Sequence, residues 1–356
     1  MAALGASSAC SSFSSDGEST PETGTRPVDG GGGGTDASTD AHADVDADAG
    51  GLVQLTTGRG AVRRLAVRDG ALYWAAVDGS VGTCRIDMCE KTARVLAASY
   101  VDATSPGGLA VDGSYVYWTG YLKSVVFRTP TSGTGDPTNP ERFVDYDNFA
   151  GHKPVGIVVD AAKVYWSSQF PDEIRSCPVA AVCGDAGDVV ATSPIGFTRG
   201  LAANDSHVFW LTGDFSDDAG AVFTATKGGA PADGVGFDIP GPRGIAVRFN
   251  AVFVTSWLEP PSGMPAQPGS VFRFIGAGRG TLATGEAKPV SITADDTNAY
   301  WANEGDGAIR RCAVGGCNEK PTTIATSKGL PEGITVDADA IYWADSVAGA
   351  IFRLPK

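Results

Sequence analysis

The side chains that most often perform acid–base or metal chemistry are scarce in this sequence. Its 356 residues contain three histidines, His42, His152 and His207, and these occupy unrelated positions. A histidine-based catalytic centre or metal site is therefore not expected. The sequence also lacks a glycine-rich phosphate loop, a nucleophile elbow and a zinc motif. We predict no catalytic residue, no metal ligand and no cofactor from its motifs.

The cysteines suggest structural chemistry instead. Six of the seven form close pairs, which are Cys84 with Cys89, Cys177 with Cys183, and Cys312 with Cys317. Each pair follows the same position of a repeated strand and would span a hairpin turn, where facing side chains come within disulfide range. Zinc is the alternative, but no histidine pairs lie near these cysteines. We predict three local disulfides and, from them, an oxidising compartment.

The cysteines belong to a pattern that occurs seven times. Each copy opens on an aliphatic residue and closes nine positions later, usually on tryptophan. The closing residues are Trp74, Trp118, Trp166, Trp210, Val254, Trp301 and Trp343. An apolar strand, a polar turn and an aromatic strand form a hairpin, which we name strands A and B. Copies recur every 42 to 48 residues, the length of one four-stranded propeller blade.

Two shorter strands, C and D, follow strand B in six copies, but the seventh copy ends without strand D. Residues 52–57, upstream of the first copy, have the pattern of a strand D with no blade before it. We predict that this segment completes the last blade and removes an open sheet edge. The fold class is therefore all-β, a seven-bladed β-propeller over residues 51–356 that is closed by an N-terminal strand.

The repeated Tyr-Trp pair, for example Tyr117-Trp118 and Tyr342-Trp343, resembles the TolB-like and YWTD-type propellers. Blade five departs from the pattern with Phe253-Val254. The resemblance implies the fold but not the activity, because such propellers include receptor modules, scaffolds and enzymes. The scarcity of histidine argues against a streptogramin lyase, whereas a gluconolactonase-like metal site at the channel remains an alternative. The repeated tryptophans are interpreted as packing between blades.

Basic residues stand just before strand A in five copies. They are Arg63, Lys153, Arg199, Arg243 and Lys288, and Glu332 opposes them in the seventh copy. Because strands A line the channel of a propeller, these cations are candidates for binding an anionic ligand at its mouth. The alternative is that each one forms an ordinary surface ion pair.

The connections between strands B and C are longest in blades three to five. Phe170, Phe215 and Trp257 would project there among acidic residues such as Glu259. Exposed aromatic side chains with a polar rim predict a contact surface for a protein or glycan partner. Local packing is the alternative, and Trp257 would then fill the space left by the missing tryptophan at Val254.

Residues 1–50 differ from the rest in composition. They carry nine acidic residues against Arg26 alone and have little to bury, which predicts a disordered tether. The remaining residues carry a net charge of about −6, which does not favour nucleic acid as a partner. The segment that ends in Ala9-Cys10 resembles the end of a bacterial lipoprotein signal, with Cys10 as the lipidated residue. The alternative is a lone cysteine in a disordered tail.

Together these features predict a non-enzymatic binding or scaffold protein outside the cytoplasm, either periplasmic or on the cell surface. The lipid anchor would be its only contact with the membrane. The alternative function is a metal-dependent hydrolase or lactonase with its site at the central channel.

Overall fold

The computed structural model describes residues 51–98, 107–146, 151–183, 187–213, 219–260, 265 and 267–356. The predicted tail, with Cys10 and His42, lies outside these residues, as does Phe215. Within them, 28 strands form seven antiparallel sheets of four strands each. The prediction of a seven-bladed all-β propeller is confirmed.

In each of the first four blades, strands A, B, C and D follow one another along the chain. Blade 1 contains β2 (Val62–Arg68), β3 (Ala71–Ala76), β4 (Val81–Arg85) and β5 (Arg94–Ala97). Blade 2 contains β6 (Leu109–Val111), β7 (Tyr115–Gly120), β8 (Val125–Pro130) and β9 (Glu141–Asp145). Blade 3 contains β10 (Lys153–Val159), β11 (Lys163–Gln169), β12 (Glu173–Pro178) and β13 (Asp188–Thr192). Blade 4 contains β14 (Phe197–Ala203), β15 (His207–Gly213), β16 (Gly220–Thr226) and β17 (Asp233–Ile239).

The last three blades complete the ring. Blade 5 contains β18 (Pro242–Arg248), β19 (Ala251–Ser256), β20 (Gly269–Ile275) and β21 (Gly278–Glu286). Blade 6 contains β22 (Pro289–Ala294), β23 (Asn298–Asn303), β24 (Ala308–Ala313) and β25 (Thr322–Thr326). Blade 7 contains β26 (Pro331–Val336), β27 (Ala340–Asp345) and β28 (Ala350–Pro355), and its outer strand is β1 (Val53–Thr56).

The N-terminal strand closes the ring as predicted. Strand β1 pairs antiparallel with β28, and Val53 lies opposite Arg353. On the inner side, strand A of blade 7 contacts strand A of blade 1. The first and last parts of the propeller are therefore joined at both the outer and the inner strands of one blade.

The inner strands approach one another closely at a position that is glycine in five blades, directly before the opening aliphatic residue. A Cβ atom at Gly156 would lie 2.7 Å from the backbone nitrogen of Leu201 in the next blade, and one at Gly108 would lie 2.8 Å from that of Ile157. Real side chains do not tolerate such distances. In these blades glycine therefore lets neighbouring strands A pack side by side, whereas blades 1 and 6 carry Arg64 and Ser291 at this position.

The tryptophans pack between blades, as the repeat indicates. Trp166, Trp210, Trp301 and Trp343 are fully buried. Three indole N–H groups donate to the end of the preceding blade: Trp166 to the Tyr146 hydroxyl at 2.8 Å, Trp210 to the Ser193 hydroxyl at 3.1 Å, and Trp301 to the Glu286 carboxylate at 2.8 Å. Buried polar atoms are thereby paired across the blade interfaces.

The tyrosine of the Tyr-Trp pair is tied to the turn between strands A and B. Asp337 accepts hydrogen bonds from the backbone N–H groups of Asp339 and Ala340 and from the Tyr342 hydroxyl, at 2.8 to 2.9 Å. Asp112 and Asp295 make the same contacts in blades 2 and 6. One repeated carboxylate thus shapes the turn and fixes the aromatic strand.

The three disulfides are formed as predicted. Cys84–Cys89, Cys177–Cys183 and Cys312–Cys317 join Cα atoms 4.8, 6.0 and 5.5 Å apart. In blade 1 the bridge encloses a 3-10 turn (Ile86–Met88) and ends at the first residue of α1 (Cys89–Thr92). Each disulfide fixes the connection between strands C and D of its blade.

Strand direction divides the propeller into two faces. We call the end with the D-to-A and B-to-C connections the loop face, and the end with the A-to-B and C-to-D connections the turn face. No helix in the described part of the chain is long and apolar enough to cross a membrane.

Candidate functional site

The predicted cations lie at the loop-face end of the inner strands. Arg63, Arg199, Arg243 and Glu332 occupy one repeat position, two residues before the opening aliphatic residue. Lys153 and Lys288 stand further from that residue in their own blades. A β-bulge lies at this end of strand A in blades 1 and 3 to 7. Bulges often re-aim side chains beside functional sites.

Several of these cations already have partners. The Arg63 guanidinium lies 2.8 Å from the Glu332 carboxylate, and Lys288 pairs with Glu304. Lys153 donates to the Leu122 carbonyl at 3.3 Å. These contacts agree with the alternative of ordinary pairs for Arg63 and Lys288. Binding of an anionic ligand by the five cations stays a prediction.

Trp257 is placed differently from the predicted exposed patch. It is only 6% exposed and lies between two cations, with Arg243 at 5.2 Å and Lys288 at 4.8 Å from the ring centre. The Arg243 guanidinium also donates to the Trp257 carbonyl at 3.2 Å. The expectation that Trp257 projects into solvent is corrected, because cation–π contacts hold the ring against the loop-face ends of blades 5 and 6.

Val254 stands where the other six blades have tryptophan. Val254 packs in a core cluster with Val252, Phe272 and other apolar side chains, and Trp257 is not a member of that cluster. The alternative, in which Trp257 replaces the missing tryptophan, stays a prediction. Glu259, two residues further on, is exposed.

Phe170 remains exposed on the loop face. Its side chain is 47% exposed, and its ring lies 5.2 Å from that of Phe197 at the start of blade 4. Two aliphatic side chains of the same face are equally exposed, Leu122 in blade 2 at 49% and Ile195 before blade 4 at 50%. We call Leu122, Phe170 and Ile195 the apolar patch. Its two aliphatic members were not singled out from the sequence, because isolated aliphatic residues in loops carry no distinctive spacing.

Contacts beside the apolar patch link blades 2 and 3. The Tyr121 hydroxyl donates to the Gln169 side-chain carbonyl at 3.1 Å, which links the B-to-C connections of blades 2 and 3. Lys153 lies over the Tyr121 ring at 5.9 Å and donates to the Ser124 hydroxyl at 3.1 Å. One cation therefore lies within this group of aromatic and apolar side chains.

Sequence reasoning also missed Arg64. It occupies the position that is glycine in five blades, and its guanidinium donates to the carbonyls of Gly107 at 3.0 Å and Arg63 at 3.1 Å. Burial lowers the pKa of Arg64, and the nearby Glu332 carboxylate partly opposes this effect. The signal that could have revealed it is arginine at a position that is glycine in five of the seven blades.

The two described histidines lie at opposite faces. His152 stacks on Tyr146 at 4.6 Å near the loop face, and burial lowers the pKa of its imidazole. His207 begins strand B of blade 4 at the turn face, where its Nδ1 lies 2.7 Å from the Ser206 hydroxyl. Within residues 51–98, 107–146, 151–183, 187–213, 219–260, 265 and 267–356, no three histidine, cysteine or acidic side chains group closely enough to hold a metal ion.

The turn face carries two open clefts. One, of about 820 Å³, lies between blades 7 and 1 and is lined by Asp69, Asp87, Asp337 and Arg353 among others. The second, of about 520 Å³, lies beside blades 5 to 7 and is lined by Arg248, Asp295 and Lys356 among others. Most of these carboxylates shape turns or pair with cations.

Comparison with known proteins supports the fold alone. No family model matches the chain, and no curated protein matches it in sequence. Among solved structures, virginiamycin B lyase from Staphylococcus aureus superposes with a TM-score of 0.65 at 15% identity, over 86% of this chain and 98% of the lyase. At this identity the similarity concerns the propeller and not the reaction.

Two further similar structures are known as complexes. YCF48 bound to D1 peptide gives a TM-score of 0.60 at 11% identity, over 86% of this chain and 96% of that chain. A nidogen/laminin complex gives 0.50 at 16% identity, over 73% and 92%. Propellers of this shape therefore include both enzymes and binding proteins.

Proposed function

We propose that the protein is a non-enzymatic, extracytoplasmic binding protein that holds a protein partner on its loop face. The observation that carries this proposal is the apolar patch, in which three large apolar side chains, each about half exposed, lie at the loop-face ends of neighbouring blades. Clustered exposed apolar side chains with a polar rim are typical of protein contact sites. The bound peptide in the YCF48 structure offers a parallel on a similar fold.

The partner segment that fits this surface carries an apolar side chain next to a carboxylate. The apolar side chain would bury Phe170 and its neighbours, and the carboxylate would meet Lys153, whose ammonium group lies beside Leu122. Such a pair combines burial of apolar area with charge complementarity at the rim.

Phe170 can be tested against a matched control. Phe249 is also an exposed phenylalanine with positive φ, at 64% exposure and +52° compared with 47% and +56° for Phe170, but it lies on the turn face. A photo-crosslinking amino acid at Phe170 of the full chain, expressed in its own cell envelope, should yield one discrete adduct. The same amino acid at Phe249 should not.

The purified adduct partner then provides the quantitative test. Phe170→Asp should weaken its binding at least tenfold, since a large buried contact is lost, whereas Phe249→Asp should leave binding unchanged. Thermal unfolding of both variants checks that the propeller is intact. Absence of an adduct at Phe170, or equal loss of binding in both variants, would contradict the proposal.

Location outside the cytoplasm and anchoring through Cys10 are part of the same proposal. The three disulfides support an oxidising compartment, because local pairs of this kind are uncommon in reducing ones. Membership of the TolB-like or YWTD-type group is proposed on the Tyr-Trp repeat. Fractionation of cells that carry Cys10→Ser checks the anchor: the variant should leave the membrane fraction, and a variant that stays there would refute lipidation at this residue.

A further inference from the structure

Neighbouring inner strands are joined by a hydroxyl group in two blades. In blade 2 the Thr119 hydroxyl accepts from the Gly108 N–H and donates to the Val155 carbonyl of blade 3 at 2.6 Å. In blade 3 the Ser167 hydroxyl accepts from the Gly156 N–H and donates to the Arg199 carbonyl of blade 4 at 2.8 Å. The residue after the strand B tryptophan therefore supplies the contact between blades.

Blade 1 has no hydroxyl at this position, because Ala75 follows Trp74. Arg64 makes the equivalent contact instead: its Nε donates at 3.0 Å to the Gly107 carbonyl, which corresponds to the carbonyls of Val155 and Arg199 in the following blades. Its Nη1 donates to the Arg63 carbonyl at 3.1 Å. Two backbone acceptors thus fix the plane of the guanidinium.

The acceptor of Arg64 is the backbone of a glycine in the next blade. The residue of blade 2 that corresponds to Arg63 is Gly107, and a Cβ atom at Gly107 would lie 2.5 Å from the Val155 carbonyl oxygen of blade 3. Contact with blade 3 therefore favours glycine at 107, and the carbonyl of this glycine accepts from Arg64.

The charge of Arg64 has no carboxylate of its own among the described residues. Glu332, the acidic residue that acts on it electrostatically, forms its 2.8 Å ion pair with Arg63. The cluster of Arg63, Arg64 and Glu332 therefore carries a formal charge of +1. Arg64 Nη2 donates to no acceptor in the described part of the chain, and part of the residue remains accessible although burial removes much of its solvation.

We propose that Arg64 anchors a binding site for an oxyanion, a carboxylate or a phosphate group, at the loop-face mouth of the central channel beside blades 1, 2 and 7. The remaining N–H groups of the fixed guanidinium would donate to the anion, and the formal positive charge of Arg63, Arg64 and Glu332 together would attract it. Because the donor is already immobilised by Gly107 and Arg63, binding costs little side-chain entropy. The site uses residues other than the apolar patch and stands independently of the proposed function.

The test uses the purified full chain and isothermal titration with inorganic phosphate and with succinate, at constant ionic strength set by chloride. We expect saturable binding of at least one of the two anions. Preference for phosphate would identify a phosphorylated ligand and preference for succinate a carboxylate ligand, and both outcomes support the site. If neither anion binds beyond the chloride control, the proposal is overturned.

Two variants locate the binding. Arg64→Gln should lose it at least tenfold, whereas Arg85→Gln, which removes an exposed turn-face arginine paired with Asp87, should leave it unchanged. Glu332→Gln removes the neighbouring negative charge and should tighten binding by roughly threefold to tenfold. This variant keeps the test decisive if Arg64→Gln does not fold. Unchanged affinity in Glu332→Gln, or full binding in a folded Arg64→Gln, would refute the assignment.

Discussion

The two faces of the propeller use their charged side chains in different ways. On the turn face, Asp112, Asp295 and Asp337 repeat one set of contacts, each with two backbone N–H groups and a tyrosine hydroxyl. On the loop face, the cations do not repeat one set of contacts from blade to blade. Arg63 pairs with a carboxylate, and Lys153 lies on an aromatic ring. Residues that repeat their contacts maintain the fold, whereas residues that do not repeat them are candidates for function.

We expect the largest loss of stability when a repeated carboxylate of the turn face is removed. Asp337→Ala should lower the free energy of unfolding by about 2 to 3 kcal/mol, because two backbone N–H groups and the Tyr342 hydroxyl lose a charged acceptor. Chemical denaturation of the full chain measures the difference. Asp339→Ala, an exposed acid in the same turn, is the control and should change stability by less than about 0.5 kcal/mol. Equal losses in the two variants would mean that the carboxylate contacts do not stabilise the turn.

A moderate effect should depend on pH. Burial raises the pKa of Asp295, but hydrogen bonds from Lys356 and the turn amides outweigh it and set this pKa well below its ordinary value. The ionised group therefore stabilises the fold above the pKa of an unfolded aspartate, about 4, and this contribution is lost as the pH falls further. Wild type should exceed Asp295→Asn in stability at pH 7, and the difference should shrink below about pH 4. If the stability difference between wild type and Asp295→Asn stays constant with pH, that difference results from packing and not from the charge of Asp295.

The smallest effect belongs to the loop face. Lys153→Gln should change the free energy of unfolding by less than about 0.5 kcal/mol, since its ammonium group makes only partly exposed contacts with Leu122 and Ser124. The same denaturation experiment measures it. A loss as large as that of Asp337→Ala would show that loop-face cations also maintain the fold, and the distinction between the faces would fail.

The fold could be predicted because its determinants are local and repeated. The spacing of the Tyr-Trp pairs defines the blades, the pattern of residues 52–57 predicts the displaced strand, and the cysteine pairs indicate their own bridges. These signals need no knowledge of which blades are neighbours in space.

The candidate sites were less predictable because they depend on contacts between blades. The burial of Trp257 results from Arg243 and from Lys288 in the next blade, and the sequence does not show that these cations meet over one ring. The Arg64 guanidinium is held by the carbonyl of Gly107, 43 residues later. The apolar patch likewise exists only once blades 2 to 4 stand side by side.

Ring closure has a consequence for how the chain folds during synthesis. Val53 in β1 pairs with Arg353 in β28, 300 residues later (353 − 53), so the first strand of the propeller can pair only after the last one has been synthesised. Such long-range pairing requires a costly loop closure and is slow. Until β1 and β28 pair, both strands expose unpaired edges that favour aggregation. The seventh blade should therefore form last, and delayed completion of the chain would be the main hazard to its yield.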